Sequence, residues 1–209
     1  MRILTKDQSR NIDNISIEKY KISQNSLMIA AANSIVFHIE NYSASINKKP
    51  KLLFICGKGN NGADSICAAN ILYEKKYNLH LHFLIDKDKI SGQSKLYYQK
   101  YINLSSHISF GSKLKIFDGY DLLIDGILGT GFRGVLGREL IDWIQWINES
   151  SMHVISVDIP SGLNSDNGLA FPTAIKAKDT ITFGYSKLGL HLANGKDYCG
   201  NIFVKDIGF

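Results

Sequence analysis

Between Gly57 and Asp64 the chain reads GKGNNGAD, three glycines interleaved with two amides and a carboxylate. Glycines let bare backbone approach an anion closely, and a helix starting behind them offers unpaired N–H groups and the positive end of its dipole. Asn60, Asn61 and Asp64 add polar groups that a turn serving only to reverse the chain would not need. The chemistry this spacing points to is the holding of a phosphate or nucleotide. A second constellation, DGILGTGFRGVLG at 125–137, ends an apolar run in Asp125 and follows it with Gly129, Gly131 and Gly134. Its backbone can form a second anion nest, and Arg133 can add charge-assisted contacts to phosphate. The third, VISVDIPSGLNSDNG at 154–168, brings Asp158 to a strand end and turns through Pro160, Ser161 and Gly162. Ser161 does not fit a hydrolase nucleophile, because that elbow needs glycine two residues before the serine, where Ile159 stands. It reads instead as an oxygen ligand or a turn-stabilising hydroxyl. Asp158 reads as a carboxylate that meets a ligand hydroxyl or transfers a proton.

The elements that must position these residues alternate short apolar runs with helix-length segments, which predicts a parallel sheet with crossover helices. Strands are expected at 52–56, 79–85, 107–110, 121–125, 153–158, 179–183 and 201–205, and helices at 6–20, 25–42, 64–75, 91–103 and 137–149. In an open α/β sheet the carboxyl ends of the strands face the ligand crevice, so Asp125 and Asp158 stand at the expected edge. Leu27, Met28, Ala31, Ile35 and Val36 make an apolar stripe that should pack on the sheet or on a partner subunit, whereas 41–50, NYSASINKKP, reads as an exposed loop.

The 209 residues suffice for one sizeable core, and no linker or charge block divides them, so one domain spanning 1–209 is expected. The 24 basic against 19 acidic residues leave a net charge of +5, scattered and without interleaved stacking aromatics. That favours a mild field for small anions over nucleic-acid binding. Cys56, Cys67 and Cys199 lack metal-ligand spacing, and an odd count behind a polar amino terminus argues for reduced thiols and a cytoplasmic protein. No apolar run reaches the roughly 20 residues of a membrane span. His80 and His82 would share one strand face, but no third ligand lies near in sequence.

Taken together the motifs resemble those of the NAD(P)H-hydrate epimerases, the YjeF N-terminal domain family. GKGNNGADS is similar to that family's GxGNNGGDG loop, DGILGTGFRG to its D-x-x-x-G-x-G loop, and VDIPSGLNSDNG to its VDIPSGL-x-x-x-x-G signature. TITFGYSKLGL at 180–190 and the opening ILTKDQSRNID also resemble family segments, so matches run in order over nearly the whole chain. The resemblance implies a Rossmann-like three-layer α/β/α sandwich, with a mostly parallel central sheet and helices on both faces, forming a homodimer. It implies interconversion of the R and S forms of hydrated NADH and NADPH, in nicotinamide nucleotide repair, with a bound potassium ion. The dinucleotide would be held by Asn60, Asn61, Gly62, Ala63 and Asp64, by Gly129, Thr130, Gly131, Phe132, Arg133, Gly134 and Val135, and by Asp158. Potassium would take Asn61, Asp125 and Ser161, an amide, a carboxylate and a hydroxyl, as a hard cation wants oxygen donors. Asp64 and Asp158 are the proton-transfer candidates, and Lys187 could hold a phosphate or orient a carboxylate.

Two departures bear on activity: Ala63 and Ser65 stand where the family has glycine, and LMIAAANSI lacks an acidic residue of the family's first helical region. A methyl at Ala63 fits if its φ is negative and is strained by roughly 1 kcal/mol in the left-handed region. The competing readings are an inactive nucleotide-binding or scaffold module of the same fold, and a dehydrogenase using Asp86 for ribose. Asn60-Asn61 interrupts the glycine spacing the dehydrogenase would need.

Overall fold

The computed structural model describes residues 2–102 and 107–208. Its strands are Ile3–Leu4 (β1), Leu52–Cys56 (β2), Leu79–Phe83 (β3), Ile108–Phe110 (β4), Leu122–Gly126 (β5), His153–Val157 (β6), Asp179–Phe183 (β7), Ser186–Lys187 (β8) and Asn201–Lys205 (β9). Its α-helices are Lys6–Glu18 (α1), Gln24–Ser45 (α2), Asn60–Glu74 (α3), Gly92–Ile102 (α4), Arg138–Glu149 (α5) and Gly195–Tyr198 (α6). Every residue of β2, β5 and β7 is buried; β2 accordingly reads as a continuous apolar run, whereas in β7 Thr180 and Thr182 alternate with apolar residues and are buried all the same.

Seven strands pair in the order β4-β3-β2-β5-β6-β7-β9, all parallel. In register, Leu53 lies beside Leu123 and that beside Val154, while Phe54, Ile124 and Ile155 form the neighbouring row. The two rows point to opposite faces. Phe54, Ile124 and Ile155 pack with Ile35 and Ile39 of α2 and Ile66 and Leu72 of α3. Leu53, Leu123 and Val154 pack with Trp143, Ile144 and Ile147 of α5. Each fully buried Ile or Leu of this kind contributes about 1.5–3 kcal/mol, enough to seat α2 on the sheet, where the apolar stripe at 27–36 belongs to the core.

From β2 the chain winds outward through β3 and β4, then returns to the other side of β2 and winds through β5, β6, β7 and β9. Right-handed crossovers therefore put α3 and α4 on one face and α5 on the other. The reversal between β2 and β5 opens a crevice at their carboxyl ends.

Several elements differ from the expected boundaries; α1 stops at Glu18 instead of 20 and β3 at Phe83 instead of 85. Helix α3 begins at Asn60, four residues before the expected 64, so both asparagines sit in its first turn. Helix α2 continues to Ser45 into the segment expected as loop. The two-residue strands β1 and β8, absent from the sequence reading, pair in parallel with Leu4 beside Lys187.

Candidate functional site

At the switch point the backbones meet without room for side chains. Gly57 N donates to Gly126 O at 3.0 Å, and a Cβ on Gly57 would lie 2.0 Å from Ile127 O. A Cβ on Gly62 would lie 2.1 Å from Gly57 O, so the first turn of α3 is pressed onto the β2 end. Above this contact lies a cleft of ≈ 1390 Å³, ample for a dinucleotide. Thr5 and Ser23 cap α1 and α2 with side-chain oxygens, but Gly59 gives α3 no such cap. The uncapped N–H groups at the cleft floor are ready for an anion.

Of the expected dinucleotide residues, Asn60, Asn61, Asp64, Gly129, Thr130, Gly131, Phe132, Arg133 and Asp158 line this cleft. Gly62 and Ala63 turn inward, Ala63 into the core at 1% exposure, and its φ is not in the left-handed region. Gly134 and Val135 stand outside the lining, Val135 at 75% exposure.

Asp125 and Ser161 lie fully buried beneath the floor. Asp125 accepts from Ser161 Oγ at 2.6 Å, Ser161 N at 2.9 Å, Ser156 Oγ at 2.8 Å and Ile127 N at 3.3 Å. Burial raises its carboxyl against the opposing pull of these bonds. Leu128 ties the set together: its N donates to Ser161 Oγ at 2.8 Å, and its O accepts from Asn61 Nδ2 at 2.8 Å. Asn61 Oδ1 is buried with no hydrogen-bond partner. An orphaned amide oxygen beside a hydroxyl with a lone pair to spare fits a monovalent hard cation, so the residues present suit potassium. The four bonds to Asp125 occupy the acceptor sites of both its oxygens, so its part in such a site is chiefly its charge and its hold on Ser161.

At one end of the cleft three carboxyl groups surround one ammonium. Asp158 sits just past β6 with φ +65°, left-handed for a non-glycine residue, and its N donates to Ile181 O at 2.7 Å. Lys187 of β8, 2% exposed, ion-pairs with Asp158 and donates also to Thr182 Oγ1 at 2.8 Å and Phe183 O at 3.0 Å. Asp64 is half-buried, and its carboxyl is pushed well above the usual range by burial, then by the charges of Asp158 and Asp13, against Lys187. Burial likewise raises Asp13, with Lys187 opposing and Asp158 adding.

A family profile described as "YjeF-related protein N-terminus" matches residues 24–189. The chain belongs to that family. It is 34% identical over 205 residues to an NAD(P)H-hydrate epimerase of Oenococcus oeni, covering 98% of this chain and 96% of that one. The bifunctional NAD(P)H-hydrate repair enzyme Nnr of Moorella thermoacetica is 30% identical across 100% of this chain and 41% of its own length. Among solved structures, the yeast protein ynu0 superposes with TM-score 0.77 over 93% of this chain and 85% of its own, at 16% identity, a likeness of fold.

The YjeF-related profile begins after α1, yet α1 contributes Ser9, Arg10, Asp13, Asn14 and Ile17 to the cleft. Sequence reasoning missed them because a mixed polar helix reads as solvated; the signal available was their common face, at spacings of one, three and four. Arg10 reaches over the second glycine loop, its Nη2 3.9 Å from where a Gly131 Cβ would be. With Arg133 it makes one basic rim, and Lys6 beside them is shifted down by burial, then by Arg133 and Arg10. Other candidates fall elsewhere. His80 Nε2 and His82 Nδ1 both meet Ser109 Oγ, at 2.7 and 2.8 Å, and burial lowers both imidazoles to about 4. Asp86 is exposed, pairs with Lys89 and does not line the cleft, which removes the ribose anchor of the dehydrogenase reading.

Proposed function

We propose that this chain epimerises the R and S hydrates of NADH and NADPH at the cleft above the β2–β5 switch point, as nucleotide repair. The observation that carries the reading is the meeting of an uncapped α3 amino terminus and a second glycine loop with a cluster of Asp13, Asp64, Asp158 and Lys187 in one dinucleotide-sized cleft. The full-length similarity to proteins named NAD(P)H-hydrate epimerase supports it.

In hydrated NAD(P)H a hydroxyl sits on a ring carbon next to nitrogen. Protonating that hydroxyl lets the nitrogen lone pair expel water, and water returning to the other face inverts the centre. The task needs positioned proton donors and acceptors plus a phosphate cradle, with no net oxidation. Asp64, which burial favours in its protonated form, suits the donor. Lys187 neutralises Asp158 and fixes it at the wall, where it can meet ligand hydroxyls. Arg10 and Arg133 supply positive charge for the phosphates. Potassium, when bound through Asn61 Oδ1 and Ser161 Oγ with the charge of Asp125 behind them, would supply a fixed positive charge that stiffens both glycine loops.

The same reading includes a homodimer in a reducing, cytoplasmic setting. Ile29 and Phe37, exposed on the outer side of α2, and three buried free thiols support it. Burial pushes Cys67 up to about 11 and Cys199 up to about 12, so these thiols are inert. The test supplies one pure epimer of hydrated NADPH and follows the approach to the equilibrium mixture by chromatography, with Asp64→Asn as control for spontaneous epimerisation. Acceleration over that control supports the enzyme; tight dinucleotide binding without it favours an inactive binding module.

A further inference from the structure

The geometry points to Asp13, on helix α1, as a second proton-transfer residue of the cleft, paired with Asp64 on α3. The inference rests on the epimerase reading and goes beyond it, because it assigns a proton acceptor on α1, upstream of the profile match at 24–189. Epimerisation runs both ways, so a group that donates in one direction must have a counterpart that accepts. Asp158 is a poor counterpart because its charge is committed to Lys187. The three hydrogens of Lys187 go to Asp158, Thr182 and Phe183, which leaves none for Asp13 or Asp64. Of the other carboxyls lining the cleft, Glu139 at the start of α5 is exposed, whereas Asp13 and Asp64 stand in this cluster, free to exchange protons with a ligand.

Helix α1 is built to hold Asp13 in place. Thr5 and Gln8 form a capping box at its start, Lys6 N donates to Asp166 Oδ1 at 2.7 Å, and β1 just before it pairs with β8, so Leu4 lies beside Lys187. The strand that carries the ammonium therefore also anchors the helix that carries the carboxyl. Asp13 is half-buried and faces Asp64 from α3, Asp158 from the end of β6 and Lys187 from β8, with Arg10 on its own helix. Helix α2 offers this end of the cleft only Gln24, Leu27, Met28 and Ala31, none of them titratable.

The step balances. Asp64 gives its proton to the ring hydroxyl, the C–O bond breaks with its electron pair leaving on water, and the nitrogen lone pair forms the C=N bond. Water then adds to the other face, the C=N pair returns to nitrogen, and the water's proton passes to Asp13. One proton has moved from Asp64 to Asp13, the reverse turnover or solvent restores it, and nothing is oxidised or reduced.

Asp13→Asn tests this by steady-state epimerisation across pH, with NADPH affinity measured by calorimetry and the unfolding midpoint as a check on folding. The expected result is a kcat loss of roughly 100-fold or more, a flattened acidic limb of the rate profile, and unchanged NADPH affinity. Asp13→Glu should recover part of the rate. Wild-type kcat and profile in Asp13→Asn overturn the inference alone, as does a loss confined to KM and NADPH affinity. An inactive wild-type protein overturns the epimerase reading, and this inference with it. If Asp13→Asn fails to fold, Asp13→Ser is read by the same criteria.

Discussion

Replacing Lys187 with Met should separate the structural from the chemical use of the ammonium. The side chains of Lys187 and Asp158 are 3% and 17% exposed, so the pair is largely out of water. Removing one partner of a buried pair costs about 3–5 kcal/mol, because the other charge is left uncompensated. Asp158 keeps an opening to cleft water, which places the expected loss near the lower bound, about 3 kcal/mol. For a chain of this size that is a fall of about 6–12 °C in unfolding midpoint. The pH dependence has a definite sign. A buried carboxylate left without its cation is costly while it is ionised and is relieved once it takes up a proton. The deficit against wild type should therefore be large near neutrality and shrink on acidification. In the wild type Lys187 also pulls Asp13 and Asp64 downward, so its removal should move the acidic limb of the epimerisation profile to higher pH. Thermal unfolding and epimerisation rates, each followed at several pH values, measure both effects. A midpoint deficit equal at acid and neutral pH would refute the buried-pair argument, and an unmoved rate profile would refute the electrostatic link to Asp13 and Asp64.

Asp125→Ala should abolish potassium-specific stabilisation, seen in wild type as a higher midpoint in potassium than in tetramethylammonium chloride. The wild-type difference is worth about 2–3 kcal/mol if potassium exceeds its dissociation constant about 100-fold, and a variant that keeps it removes Asp125 from the site. Asp179 at the opposite edge of the sheet is raised by burial, but His153 at 2.7 Å, His38 at 3.1 Å and Asn201 at 3.0 Å together hold its carboxyl well below the usual 3.8. The folded state therefore gains from its ionised form above about pH 4 and loses that gain as pH falls, and Asp179→Ala should cost at least about 2 kcal/mol at neutral pH and much less in acid. Urea unfolding at the two pH values decides it, an equal loss at both counting against the argument.

The central strands were legible as short apolar or β-branched runs bounded by turn residues: β2, β5 and β7 match within a residue at each end. The helix ends were not, for reasons visible in single residues. Asn60 and Asn61 read as loop because asparagine competes with the helix for backbone bonds. In the structure, α3 nonetheless starts there, its first N–H groups uncapped and open to a ligand. NYSAS read as loop because serine does the same, yet Ser43 Oγ donates to Ile39 O at 2.7 Å and Ser45 Oγ to Tyr42 O at 2.8 Å, folding the hydroxyls back onto α2. Asp64, Asp125, Asp158 and Ser161 could be found because each follows a strand or a glycine turn. Asp13 could not, because what brings it to the cleft is a two-residue strand pairing with a partner over 180 residues away.

The first departure from the family pattern, at Ala63 and Ser65, loses its force once α3 is placed. Asn60, Asn61 and Asp64 line the cleft, whereas Ala63 and Ser65 beside them do not and are buried, at 1% and 0% exposure. Ala63 is buried against the sheet-facing core, where a methyl adds packing. Ser65 is fully buried, donates to Asn61 O at 2.9 Å and stands where a Cβ on Gly126 would come within 2.1 Å of its oxygen. A hydroxyl at 65 thus fills the space that glycine at 126 leaves open and braces the carbonyl of Asn61, whose side-chain oxygen is the orphan proposed to hold the cation. The substitution at 65 acts on the floor of the site from below and does not obstruct the ligand from above. Under the proposed epimerisation, proton transfer falls to Asp64, which lines the cleft with Asn60 and Asn61, and to Asp13 on α1.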